Sequence, residues 1–268
     1  MTDNSNEQTA GTLTYHAEGG IARLVINQPQ RMNAMNFDMW QALPRLLAQA
    51  EADASVRVIT LEGAGDKAFC AGADISQFGV QRSTPEAVRR YEEAVTQGNQ
   101  ALQQVGKPTV ALIRGICFGG GFGLAMCCDL RYARADARFR IPAARLGLGY
   151  AYGGIELLYR KLGMAPVADL LLSARILTAD EALRLGIVHS VHGDSYEQDI
   201  MQALHRLAGN APLTLQAVKR ALVELARPEA QRDHQAVDAL VAKCFASADY
   251  LEGQAAFRDK RDPNFKGE

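Results

Sequence analysis

The chain has 268 residues, 48% hydrophobic and 22% charged, an ordinary balance for a folded protein that excludes disorder over the whole length. At this length one large core is expected, with a small appended piece. Its 29 basic and 30 acidic side chains leave a formal net charge of −1, so no global field exists to coat nucleic acid or an anionic membrane, and neither partner is expected.

Residues 1–10 (MTDNSNEQTA) are polar and acidic, without the positive start and apolar run of a signal peptide; they read as a disordered leader. LTYHAEGGIARLVIN (13–27) alternates apolar and polar residues around Gly19-Gly20 and predicts a hairpin. Phe37, Trp40, Leu43, Leu46 and Leu47 recur at helical spacing over 36–52, with Pro44 inside the pattern as a potential break. VRVITLEG (56–63) predicts a strand, 85–105 a helix, and TVALIRG (109–115) a buried strand after Gly106-Lys107-Pro108. The glycine-rich 119–123 leads into helical GLAMCCD, and LRYARADARF follows as one strand. This βα alternation predicts parallel core strands. Helices are expected over 153–172, 179–185, 194–208, 212–226 and 229–246, a short strand over 185–191, and one more helix with a tail at the end. Pro212 and Pro228 suit first-turn positions, where a missing N–H costs nothing.

No stretch reaches the ~18 apolar residues of a membrane helix; 108–128 comes closest and is broken by Arg114 and its glycines. The five cysteines (Cys70, Cys117, Cys127, Cys128, Cys244) are odd in number, two are adjacent, and none forms a paired zinc spacing. A cytoplasmic protein without disulfides or metal is expected.

Two glycine-rich patterns fail as nucleotide sites. Gly63-Ala64-Gly65 lacks the third glycine of a dinucleotide fingerprint, and no Lys-Ser/Thr follows Gly115–Gly120. Two similar turns remain. In each a buried strand exits into small residues before a helix begins: Ala71-Gly72-Ala73-Asp74 and Gly119-Gly120-Gly121. Facing each other, their free N–H groups would form a two-donor oxyanion hole; equally, the glycines allow two chains to pass closely.

Several further elements stand in a telling order: Asn27-Gln28-Pro29 with Asn33-Ala34-Met35; Phe69-Cys70-Ala71-Gly72-Ala73-Asp74-Ile75; Lys107-Pro108; Gly119-Gly120-Gly121 with Leu124-Ala125; Cys128-Asp129-Leu130; Leu146-Gly147 with Gly153-Gly154; and Glu252-Gly253, Ala256-Phe257, Lys260-Arg261 and Pro263 to Phe265. From Ile21 to about Phe265 the chain thereby resembles the crotonase, or enoyl-CoA hydratase/isomerase, family. The resemblance implies an α/β fold, a ββα superhelical spiral over 11–200, with a C-terminal helical region over 201–268 that builds homotrimers or homohexamers. It implies an acyl-CoA thioester as partner, with coenzyme A as part of the substrate and no separate cofactor. The thioester oxygen would meet the N–H groups of Ala73 and Gly120, and the CoA would be cradled by Ala71, Ala73, Asp74 and Ile75. Lys260 and Phe265 lie in the tail that in relatives reaches the CoA of a neighbouring subunit.

The acid/base positions depart from the family. A family hydratase carries a glutamate just after the glycine triplet and another after the proline of the following strand; here these are Gly123 and Ala143. Neither can activate water or move a proton. Tyr150 stands where members resembling methylmalonyl-CoA decarboxylase carry a tyrosine; its other reading is a half-buried ring with a satisfied hydroxyl. The expected function is a lyase-type acyl-CoA enzyme, leaning to decarboxylation, in which an oxyanion hole stabilises an enolate. The alternatives are a hydratase or isomerase with non-standard groups, and a CoA-binding protein with little catalysis. Asp74 is expected to cap the following helix, Asp129 to fix a turn, Arg114 to tie loops together, and Arg145 and Glu156 to lie at the surface. Phe78, Tyr91 and Tyr152 are candidates for an acyl pocket or the core. The histidines (16, 189, 192, 205, 234) are expected in surface or edge packing, and Cys70 as a small buried filler.

Overall fold

A computed structural model describes residues 11–77, 79 and 83–268; the leader 1–10 and Phe78 lie outside the described residues. Strands β1 (Thr12–Glu18) and β2 (Ile21–Asn27) form the expected hairpin, with Gly19 and Gly20 both at positive φ in its turn. Helix α1 (Phe37–Ala52) starts at Asn36, whose side chain accepts from the N–H of Met39, and runs unbroken through Pro44. The burial of Trp40, Leu43, Leu46 and Leu47 compensates the hydrogen bond that a proline cannot donate.

The chain then alternates between two sheets. β3 (Val58–Gly63), β5 (Thr109–Ile113), β7 (Leu130–Arg134) and β10 (Ser190–His192) extend the first sheet in the order β1-β2-β3-β5-β7-β10, parallel from β2 onward. β4 (Ala68–Cys70), β6 (Ile116–Phe118), β8 (Arg138–Arg140) and β9 (Leu177–Thr178) form the second in that order. Helices follow each early pair: α2 (Pro85–Gln104) after β3 and β4, and α3 (Gly120–Cys127) after β5 and β6. This is a repeated ββα spiral. LRYARADARF is thus not one strand but β7 and β8, in different sheets. Its side-chain alternation continues across the corner, which hides the break from sequence.

After β8 come α4 (Ala143–Leu146), α5 (Tyr152–Leu162) and α6 (Met164–Ala168), then a π-helical turn, Asp169–Ser173. The single helix expected over 153–172 is interrupted at Gly163, which takes φ 80°. α7 (Ala179–Arg184) carries a full capping box between Thr178 and Glu181. α8 (Tyr196–Ala208), α9 (Pro212–Leu225), α10 (His234–Phe245) and α11 (Ala248–Asp259) complete the chain. Pro212 opens α9 as expected, whereas Pro228 precedes a separate 3-10 turn, Glu229–Gln231.

The two faces of the larger sheet have different covers. Ala22, Leu24, Ile26, Ile59 and Leu61 enter the main core with Trp40, Phe69, Phe122 and Phe139. Ile21, Val58, Val110 and Leu112 face the other way, under Tyr196, Ile200 and Leu204 of α8. α8 runs across residue 200, so packing joins it to the sheet rather than to the helices that follow. Beside this patch Glu62, almost fully buried, takes Arg23 at 2.8 Å and Arg114 at 3.0 Å, and Arg114 reaches on to Glu197. Arg114 therefore ties elements together, as expected.

The C-terminal helices are fastened by a buried lysine. Lys219 of α9 donates to Asp129 at 2.7 Å and to the Lys107 carbonyl at 2.9 Å. Asp129 also accepts from the N–H and hydroxyl of Thr109, fixing the turn between α3 and β7. Lys219→Met would leave these acceptors without their charged donor, and an unfolding free-energy loss of about 2 kcal/mol is expected. Urea denaturation measures it; an unchanged midpoint would show that the contact contributes nothing.

Candidate functional site

The two glycine turns leave the carboxyl ends of neighbouring parallel strands, β4 and β6, the end of an α/β sheet where ligands bind. After β4, residues 71–74 are pinned along the segment before α1. Ala71 N–H donates to Met32 O, Met35 N–H to Gly72 O, and Asp74 N–H to Met35 O, at 2.7–3.0 Å. This bridge uses the carbonyl of Gly72 and the N–H of Asp74, and the N–H of Ala73 between them turns to the opposite side. Asn33 holds the pinning segment in place, bonding Gln28 N–H and the carbonyls of Ala64 and Ala68.

After β6, Gly119 takes φ 51° and ψ −118°, a backbone shape open only to glycine, and Gly119 N–H donates to Arg140 O at 2.8 Å. α3 begins at Gly120, so the N–H of its first residue has no acceptor within the helix. The turns touch. A Cβ on Gly72 would lie 3.3 Å from the nitrogen of Gly120, and one on Gly120 would lie 3.6 Å from the nitrogen of Ala73. The neighbouring Gly121 serves packing instead, since a Cβ there would stand 2.3 Å from the carbonyl oxygen of Cys70. Close passage of two chains thus falls to Gly121, while Gly120 lies where the two turns meet.

Asp74 is buried and fully engaged. Its carboxylate accepts from Gln28 Nε2 at 2.9 Å, Ser76 N–H at 3.0 Å, Ser76 hydroxyl at 2.6 Å and Arg31 at 3.0 Å. Burial would raise its pKa, but the Ser76 and Gln28 hydrogen bonds and the Arg31 charge outweigh it and hold the carboxyl below its ordinary 3.8. It caps the Ile75–Gln77 turn as expected and is anchored by Gln28 and Arg31 besides. Ile75 is two-thirds exposed beside it.

Gly123 lies one helical turn into α3, and Ala143 opens α4 just beyond β8. Tyr150 joins them. A Cβ on Gly123 would lie 3.7 Å from the Tyr150 hydroxyl oxygen, so the phenol reaches the space over the missing first glutamate. Burial, with a smaller contribution from Cys127, pushes its pKa up to about 12, and the phenol stays neutral at physiological pH. The four cysteines of this region are likewise inert: burial raises Cys70, Cys127 and Cys128 to about 12 and Cys117 well above its ordinary value. Cys70 is the buried filler expected.

The remaining candidates lie apart. Lys260 caps the end of α11 at φ 52° and Phe265 packs over Gly253, both in the C-terminal helical end. The tail there folds back, with Arg261 bonded to Glu252 and the N–H groups of Lys266 and Gly267 to Asp249. Arg145 is exposed and Glu156 is half-exposed; Tyr152 is 80% exposed, and Tyr91 is buried against Phe37. His192 sits between Ser190 and Asp199 in a hydrogen-bonded chain that ties β10 to α8. Among the described residues no group of three or more His, Cys, Asp or Glu could hold a metal ion, and no helix is long and apolar enough to cross a membrane. Sequence reading missed Gln28, Arg31 and Asn33 as supports of the 71–74 turn, although the Asn-Gln-Pro and Asn-Ala-Met motifs contain two of them. It also missed the contact of Tyr150 with helix α5, where the Cβ of any residue replacing Gly154 would stand 2.8 Å from the ring.

Because the Asp74 pKa is depressed in the folded state, its contribution to stability is full at neutral pH and fades as pH falls through the ordinary carboxylate range toward the folded value. Asp74→Asn should therefore lower the melting temperature at pH 7, with a gap to the parent protein that narrows below about pH 4. A gap that stays constant with pH would refute the ionised, multiply bonded carboxylate.

Comparison with known proteins agrees with this architecture. The family model for enoyl-CoA hydratase/isomerase matches residues 16–268. The short-chain-enoyl-CoA hydratase of Clostridium acetobutylicum is 32% identical, over 91% of this chain and 93% of that protein. The crotonyl-CoA hydratase of Syntrophomonas wolfei is 33% identical, over 94% and 97%. A crystal structure of an enoyl-CoA hydratase/carnithine racemase from Magnetospirillum magneticum superposes with a TM-score of 0.90 at 34% identity, over 96% of each chain. The chain is a member of the enoyl-CoA hydratase/isomerase, or crotonase, family.

Proposed function

We propose that this member acts on an acyl-CoA thioester through an enolate whose oxygen is held by the N–H groups of Ala73 and Gly120, with Tyr150 as proton donor. One observation carries the reading: the two turns meet with backbone nitrogens at their contact and no side chain between them. Fixed donors aimed where charge develops stabilise an enolate without reorganising. Ala71, Asp74 and Ile75 border the same turn and would hold the CoA. Lys260 and Phe265 would serve a CoA bound to a neighbouring copy in a homotrimer or homohexamer, an assembly supported by exposed Leu222, Leu225, Phe245 and Phe257 on the C-terminal helices.

Of the reactions open to an enolate, decarboxylation suits the groups at hand. The bond from the α-carbon to the substrate carboxylate breaks, and CO2 leaves. The electron pair moves into the thioester enolate. The Tyr150 phenol then gives its proton to the α-carbon, a base far stronger than phenolate, and solvent restores the phenol. No general base is required, which fits glycine at 123 and alanine at 143. The relatives' names favour the second reading, hydration or isomerisation of an enoyl-CoA with water placed by other groups. A third is CoA binding with little turnover.

A substrate panel separates the three. With crotonyl-CoA, methylmalonyl-CoA and ethylmalonyl-CoA, CO2 release from a malonyl-type thioester is expected. Rapid hydration of crotonyl-CoA would establish the second reading instead, and saturable CoA binding without turnover the third. Gly120→Val would cover the N–H of Ala73, and a loss of about 100-fold in kcat is expected; an unchanged rate on a turned-over thioester would refute the oxyanion hole. Tyr150→Phe should lower kcat by roughly 100-fold, and turnover at the parent rate would remove the phenol from the mechanism.

A further inference from the structure

Tyr150 is held in a slot cut by two glycines on two different helices. On α5, a Cβ at Gly154 would stand 2.8 Å from Cε1, 3.5 Å from Cδ1 and 3.6 Å from Cζ of the ring. The first distance is far inside carbon–carbon contact. On α3, a Cβ at Gly123 would lie 3.7 Å from the hydroxyl oxygen and, among the described residues, near no other atom outside its own helix within 4 Å, so a side chain that extended toward the phenol would meet its hydroxyl. Neither glycine has a positive φ, so the backbone does not demand glycine at either position, and each forgoes the helix propensity of alanine. Gly153 provides the internal comparison: it shares the first turn of α5, and a Cβ there would meet nothing within 4 Å.

The segment that carries Tyr150 needs such a seat. Residues 144–149 and 151–153 are exposed, and Tyr150 alone turns inward against the core. Its hydroxyl has no hydrogen-bond partner among the described residues. Shape alone therefore holds the ring, and the bare backbone of α5 is one wall.

We infer that Gly154 and Gly123 together form the seat that positions Tyr150, Gly154 by leaving room for the ring and Gly123 by leaving room at the hydroxyl. Gly154 is thus a positioning residue. The consequence for catalysis rests on Tyr150 being the proton donor proposed above; the seat itself does not.

The test combines 19F NMR of protein labelled with 3-fluorotyrosine and turnover of whichever panel thioester reacts. The Tyr150 resonance is the one absent from Tyr150→Phe. Gly154→Ala should shift it, Gly153→Ala should leave it in place, and Gly123→Leu should shift it from the opposite wall. Gly154→Ala should lower kcat by roughly tenfold or more, and the same change made in Tyr150→Phe should cost nothing further. A Tyr150 resonance unmoved by both Gly154→Ala and Gly123→Leu would overturn the seat, and a full repeat of the Gly154→Ala loss in the Tyr150→Phe background would overturn the role of Gly154 in positioning the phenol for turnover. If the resonance shifts while Tyr150→Phe turns over at the parent rate, the seat stands and the proton-donor reading falls.

Discussion

The site depends on backbone meeting backbone at the ends of β4 and β6. A side chain between Gly72 and Gly120 would push the nitrogens of Ala73 and Gly120 apart, and one at Gly121 would push α3 off Cys70. Parallel pairing of β4 with β6 brings the turns side by side, and the positive φ of Gly72 and Gly119 lets each chain reverse tightly enough to face the other. Packing and chemistry are therefore one constraint: the absence of Cβ atoms that lets the helix close onto the strand also leaves polar N–H groups at the junction.

Around that junction the charged side chains serve as scaffold. Asp74 is taken up by Gln28, Ser76 and Arg31, Asp129 by Thr109 and Lys219, and Glu62 by Arg23 and Arg114. Buried charge is tolerated only where it is paired, and each pairing here joins segments distant in sequence. These carboxylates hold geometry and are not free to move protons. The group that reaches the space over Gly123 is the neutral phenol of Tyr150. Its raised pKa follows from burial and keeps it protonated at neutral pH.

Much of the fold was legible because local rules act strongly. The Gly19-Gly20 hairpin and the helices α1 and α2 follow from turn chemistry and apolar spacing. The second sheet was not. Strands of three residues, such as β4, β6 and β8, are too short to show a period of two, and β7 and β8 read as one because their alternation stays in phase around the corner. Gly163 and Pro228 misled for a related reason, since a helical pattern does not reveal where neighbouring helices force it to stop.

The order of motifs alone determined the family, the two glycine turns and the absence of both glutamates, because each is a matter of residue identity at a spacing along one chain. Tertiary structure alone decided what those residues touch. It assigned Gly120 to the junction and Gly121 to packing, and it folded Tyr150 back against Gly154 so that its hydroxyl lies over Gly123. Contacts between residues 27 positions apart carry no local signature. They exist only once the sheets have set the distance between the helices that bear them.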